Sequence, residues 1–167
     1  MTRSVTLLSL GAALLLAACN QNTAPGNDRE AKVDYAPAAA PRMSAAEALS
    51  GIATGAVQPE TMNEPDLASL GGLAGNCVIR LTGIAYPSFF EDSARDTGYV
   101  KLNGKLVELK KAGDDRYVDG KLTVRLRSAP DDESDNGLPG MEMIVALPGA
   151  RDELGFRGYR DCGAKTG

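Results

Sequence analysis

The chain has 167 residues, with 18 Lys and Arg against 22 Asp and Glu, so its net charge is −4. That length suits one domain with an appended segment, and the acidic balance argues against nucleic acid, because phosphate binding needs clustered Lys and Arg. Histidine and tryptophan are absent; the commonest general base and transition-metal ligand are missing, so no metal, cofactor or catalytic residue is expected.

Residues 1–19 carry a single charge, Arg3, and an apolar run over residues 5–18 broken only by Thr6 and Ser9. This is the layout of a secretory signal. The run of about 14 residues falls short of the roughly 20 that span a bilayer. Leu16-Ala17-Ala18-Cys19 resembles the lipobox of bacterial lipoproteins. The resemblance implies cleavage before Cys19, a diacylglycerol on its sulfur and an acylated amine. By resemblance to enteric lipoproteins, Asn20 favours the outer membrane, facing the periplasm, over retention in the inner membrane. Loss of residues 1–18 removes one base and no acid, leaving 17 bases against 22 acids. Such a chain has no electrostatic hold on an anionic leaflet. The acyl chains supply it, at about 0.8 kcal/mol per buried methylene.

With Cys19 committed to lipid, Cys77 and Cys162 remain. In an exported protein two such cysteines pair. Without a histidine to raise thiolate content, neither reads as a nucleophile.

Residues 19–43 read as a flexible tether, broken by Pro25, Pro37 and Pro41. Ser44-Ala45-Ala46-Glu47 has the form of a capping box opening a short helix that Gly51 stops. Asn63-Glu64-Pro65-Asp66-Leu67 offers a second start, ended by Gly71. Residues 44–74 are expected to pack over one end of the main domain.

From Gly75 to residue 163 the texture changes to short alternating runs between turn dipeptides, the sign of an antiparallel β domain. Asn103-Gly104 is a strong two-residue hairpin signal. It pairs Val100 with Val107 and Leu102 with Lys105, so Val100, Leu102, Val107 and Leu109 share the core face. Asp119-Gly120 predicts a second hairpin, with Tyr117 opposite Leu122 and with Val124 and Leu126 on the same face. Residues 141–147 and 156–162 give two more strands, and further ones are sought in residues 86–90 and before Cys77. Seven of the eight aromatics lie between Tyr86 and Tyr159. A bridge from Cys77 to Cys162 joins the first of these strands to the last. The expectation is a mainly β fold: a small antiparallel β-barrel or flattened sandwich closed by a disulfide, with one or two short N-terminal helices. Residues 164–167 are a tail.

Four features invite a functional reading. Arg125 and Arg127, two apart on one strand face, can grip a carboxylate or phosphate, or pair with acids such as Glu108 or Glu142; Arg80, Arg157 and Arg160 lie on other strands. Tyr86-Pro87-Ser88-Phe89-Phe90 is either a recognition patch or core. Asp131, Glu133, Asp135 and Glu142 fall at positions 1, 3, 5 and 12 of a calcium-loop count, but Asn136 stands where the loop glycine belongs; a solvated loop is the better reading. No carboxylate pair is singled out for glycosidase chemistry.

Residues 77–162 resemble the membrane-bound inhibitors of lysozyme, bacterial lipoproteins with a small antiparallel β-barrel. Their pattern runs from a first-strand cysteine through an Asn-Gly or Asp-Gly hairpin to a Ser-Gly-x-x-Tyr segment, a Trp-x-Lys-Gly strand and a closing cysteine. Here residues 99–109 resemble the hairpin, Gly113 and Tyr117 the glycine–tyrosine segment, and Cys162 the closing cysteine. Ala112 replaces the serine, and the Trp-x-Lys-Gly motif is absent. The expected function is a non-enzymatic, lipid-anchored binding or structural module acting on a periplasmic protein or cell-wall component. The alternative is inhibition of lysozyme-type muramidases, with Arg116, Arg125 or Arg127 meeting the enzyme's carboxylates.

Overall fold

A computed structural model describes residues 37–163. The signal sequence, Cys19, most of the expected tether and the tail lie outside the described residues. In chain order the elements are β1 (Arg42–Met43), α1 (Ala45–Ala48), β2 (Pro59–Glu60), α2 (Glu64–Ser69), β3 (Cys77–Arg80), β4 (Phe89–Asp92), β5 (Thr97–Leu102), β6 (Lys105–Lys111), β7 (Arg116–Asp119), β8 (Leu122–Glu133), β9 (Pro139–Ala146) and β10 (Leu154–Cys162).

Strands β3 to β10 form a closed antiparallel barrel in the order β6-β7-β8-β9-β10-β3-β4-β5, with β5 returning to β6. Closure leaves no long free edge. β10 meets β3 with Cys162 directly opposite Cys77, and the two are disulfide-bonded across a Cα–Cα distance of 4.0 Å. The bridge therefore sits on the seam between the first and last barrel strands, as expected.

The Asn103-Gly104 turn has the predicted register, Val100↔Val107 and Leu102↔Lys105. Both turn residues have positive φ, 49° and 67°, the demand of a type I′ loop. The second hairpin is corrected. Its loop is Gly120-Lys121, so Asp119 stands opposite Leu122 and Tyr117 opposite Val124, not Leu122. Gly120, at φ 58°, is the first loop residue, the place a glycine takes in a type II′ loop. The displacement spans two positions, so facing is preserved, and Tyr117, Leu122, Val124 and Leu126 all point into the core. The additional strand sought in residues 86–90 is β4, which begins only at Phe89 and runs on to Asp92. Among the described residues no barrel strand precedes Cys77; of the earlier segments, β2 pairs with β5 and β1 with β6.

The barrel interior is filled by Ile79, Phe89, Val100, Leu102, Leu109, Tyr117, Met143 and their neighbours. Gly98 makes room for two of them: a Cβ there would lie 2.3 Å from Phe89 Cζ and 2.9 Å from Tyr117 Cδ1. The rings of Phe89 and Tyr117 meet edge to face, 5.1 Å between centroids.

Ser44 and Glu47 form the predicted capping box of α1. Ala45, Ala48 and Leu49 join the interior cluster, Asn103 Nδ2 donates to Ala48 O at 3.2 Å, and Ala45 N donates to Asp119 at 2.6 Å. Helix α1 thus closes the barrel end that carries the β5–β6 and β7–β8 turns. The second helix departs from expectation. Rather than covering an end, α2 lies against the outside of the wall, where Met62, Leu67 and Leu70 bury Val78, Phe90, Tyr99 and Leu106. Strand β4 therefore sends Phe89 inward and Phe90 outward, and both are fully buried.

Asp66 holds that layer in place. It is fully buried, accepts from Ala40 N at 2.6 Å, Asn63 N at 3.0 Å and Lys101 Nζ at 2.8 Å, and is capped in return by Asn63. Pro41 O accepts from Leu106 N at 3.0 Å, β1 runs parallel to β6, and the Arg42 guanidinium stands 5.4 Å from the centre of the Tyr99 ring. Residues 40–43, read from sequence as the end of the tether, therefore pack on the barrel wall. Burial opposes ionisation of Asp66, but the hydrogen bonds from Ala40, Lys101 and Asn63 outweigh it and hold the carboxyl below its ordinary 3.8. A depressed carboxylate contributes stability that is present above its unfolded pKa and lost as pH falls through the folded one. Asp66→Ala is expected to cost about 3 kcal/mol at pH 7, because Lys101 loses its partner in a largely buried setting. In urea unfolding, the gap between variant and parent should narrow below the ordinary carboxylate value; a constant gap down to acid would refute this account.

Candidate functional site

The three arginines singled out in sequence, Arg116, Arg125 and Arg127, all emerge on the exterior of β7 and β8, and all are exposed. The pairing anticipated from spacing is only part of the arrangement. Arg116 stands directly across from Arg125 in the ladder, a juxtaposition that linear spacing does not reveal. Acids on neighbouring strands take up two of the three. Arg125 pairs with Glu153 at 2.6 Å, and Arg127 Nε donates to Glu142 at 2.9 Å, its ladder partner. Arg116 has no ion pair among the described residues. Two like charges face each other across adjacent strands, which disfavours the fold slightly and favours an anion placed between them.

Arg160, noted in the sequence as lying on another strand, has a different role. Its ladder partner is the inward-facing Ile79, and its guanidinium contacts Glu91, 4% exposed, at the barrel end that carries the disulfide. Tyr117 Oη donates to Glu91 at 2.9 Å, and Asp115 lies 3.4 Å from Arg160 Nη1. Burial, then the charge of Glu91, pushes the Tyr117 hydroxyl well above the ordinary tyrosine range. It stays a hydrogen-bond donor across the accessible pH range. Sequence reasoning missed this cluster. Glu91, Asp115, Tyr117 and Arg160 lie on different strands or turns, and only barrel closure brings them together. Arg80 is likewise structural, paired with Asp161 at 3.0 Å and donating to Ala85 O at 2.6 Å.

Of the aromatic stretch, Pro87, Ser88, Phe89 and Phe90 are buried, so it is mostly core. Tyr86 is half exposed and Ile84, two residues earlier, is 97% exposed. The acidic run forms the end of the β8–β9 hairpin, which is irregular between Ser128 and Glu133. Gly140 permits that fold-over: a Cβ there would lie 2.1 Å from Asp132 O. Asp131 and Asp135 point to solvent. Tyr117, matched by resemblance to an inhibitory segment, is buried inside the barrel, and the adjoining turn exposes Asp114 beside Ala112 and Gly113.

A family model covers residues 15–165, a span that includes Cys19, Cys77 and Cys162. The chain belongs to the DUF6692 family, a domain of unknown function. No curated protein and no solved structure matches it. The chemistry of this DUF6692 domain is therefore read from its own surface. Its interior is packed with side chains, and no group of three or more His, Cys, Asp or Glu suited to a metal occurs among the described residues. Its exterior carries the arginine-bearing β7–β8 wall and the loops around it.

Proposed function

We propose that this DUF6692 protein is a lipid-anchored envelope protein, carried on Cys19 at the periplasmic face of the outer membrane, whose barrel is a non-catalytic binding module. Arg116 carries the reading: it is exposed, has no ion pair among the described residues and stands across from Arg125, whose partner Glu153 is an exposed acid that an incoming anion can replace. A wall of that kind suits an envelope component bearing carboxylates or phosphates. The disulfide supports export, since such bonds persist in oxidising compartments, and the apolar run ending at Cys19 supports the anchor.

Labelled palmitate should enter the parent chain and not Cys19→Ser. The parent should retain an envelope component that Arg116→Glu combined with Arg125→Glu releases. Absence of label would remove the anchor, and equal retention would remove the arginine wall. The same arginines give the second reading, inhibition of a muramidase through its acidic catalytic cleft. That reading predicts that the purified chain slows lysozyme on cell walls and that the double variant does not; unaltered lysis by several lysozyme classes at micromolar concentration would exclude it.

A further inference from the structure

We propose that the cleft between the β3–β4 turn and the tip of the β8–β9 hairpin is a docking site for an extended segment of a partner protein that alternates apolar and basic side chains. The proposal rests on reading the barrel as a binding module and locates a second surface on it, away from the arginine wall.

The first wall of the cleft displays Ile84. An isoleucine 97% exposed is held there by a braced turn. Ala85 N donates to Thr82 O at 3.2 Å, and Arg80, itself paired with Asp161, donates to Ala85 O at 2.6 Å. These bonds brace the backbone on both sides of Ile84. Tyr86 follows, 50% exposed, an aromatic of the kind that anchors interfaces.

The second wall is the hairpin tip. It too is braced: Leu138 N donates to Ser134 Oγ at 2.8 Å and Gly137 N to Ser134 O at 2.9 Å. Between the walls lies a cleft of about 440 Å³, bounded by Leu81, Ile84 and Tyr159 on one side and by Ser134, Asp135 and Asn136 on the other. Gly83 allows the walls to approach, since a Cβ there would lie 3.3 Å from Asn136 Oδ1.

Charge selects the occupant. Asp132 is paired with Arg157 at 3.5 Å, but Asp131 and Asp135 are exposed and have no ion pair among the described residues. Leu81, Ile84 and Tyr159 beside the exposed Asp135 carboxylate complement a chain whose apolar side chain enters the cleft while a flanking Lys or Arg reaches the rim. An anionic lipid surface would meet the same carboxylates repulsively.

The test uses the purified full chain labelled with ¹⁵N and, as probe, a heptapeptide alternating lysine and leucine. Its glutamate–leucine counterpart and phosphatidylglycerol vesicles serve as controls. The lysine peptide should shift the amide signals of Gly83, Ile84, Asn136 and Tyr159 saturably, and the glutamate peptide should not. Ile84→Ser and Asp135→Lys should each weaken binding about tenfold, with unchanged circular dichroism. Silence at those amides, or binding indifferent to both replacements, overturns the proposal. So does vesicle binding that Ile84→Ser abolishes, which would make lipid the occupant. Envelope capture that the double arginine variant abolishes, with the lysine peptide leaving those amides silent, overturns this cleft while leaving the binding-module reading standing.

Discussion

Replacing Cys77 and Cys162 together by alanine is expected to lower the unfolding free energy by about 4.5 kcal/mol, the chain-entropy value for a loop of this length. The bridge spans a sequence separation of 85 residues. For a domain of this size that loss lowers the melting temperature by roughly 15 °C. The position of the bridge makes the effect large. β3 and β10 are joined by four residue pairs, Tyr159↔Arg80, Arg160↔Ile79, Asp161↔Val78 and Cys162↔Cys77, and no turn links the two strands. Every other neighbouring pair in the barrel follows directly in the chain. The last pairing to close thus has the greatest loop entropy to overcome, and the covalent bond removes that cost. Thermal unfolding of parent and variant, with and without dithiothreitol, measures it. Reduced parent should behave as the variant does. A variant within 1 kcal/mol of the oxidised parent would refute the loop-entropy argument.

The second large effect is expected at Arg160. Arg160→Met removes the cation that faces the buried Glu91 carboxylate, leaving Tyr117 as its remaining hydrogen-bond donor. An uncompensated buried charge costs about 3–5 kcal/mol. Combining Arg160→Met with Glu91→Gln removes the stranded charge together with its partner. Replacing a buried ion pair as a whole is often close to neutral, so the double variant should recover more than 1 kcal/mol relative to the sum of the singles. Strict additivity in urea unfolding would show that the two groups do not act as a pair. This cluster and the disulfide lie at the same end of the barrel, so the two effects should also fall short of additivity with each other.

Side-chain alternation carried much of the fold. It placed Val100, Leu102, Val107 and Leu109 on one face because a two-residue turn with φ positive at both positions leaves little freedom in register. It survived the misplaced Asp119-Gly120 loop, because a shift by two preserves facing. The Ser44–Glu47 capping box was legible, since the cap and its partner are three residues apart; at Asn63 only the helix start was read, not its reciprocal bond with Asp66. Alternation did not reveal that Phe90, Tyr99 and Leu106, on the outward face, would be covered by α2. An apolar residue there looks the same in sequence whether it meets solvent or another layer. The candidate site divides in the same way. That Arg125 and Arg127 share a strand face follows from their spacing, whereas Arg116 opposite Arg125 depends on ladder register.

By its own order of residues, the chain determined its two helix starts, its Asn103-Gly104 hairpin, the run of short strands and the pairing of its two remaining cysteines, because each depends on neighbours in sequence or on composition. The tertiary structure alone decided that eight strands close on themselves, that Asp66 fastens Ala40 to the outer wall, and that Arg160 is an interior partner while Arg116 is exposed across from Arg125. Those outcomes depend on which distant strands become neighbours. That is settled by how the whole chain buries its apolar surface, a quantity no local stretch contains.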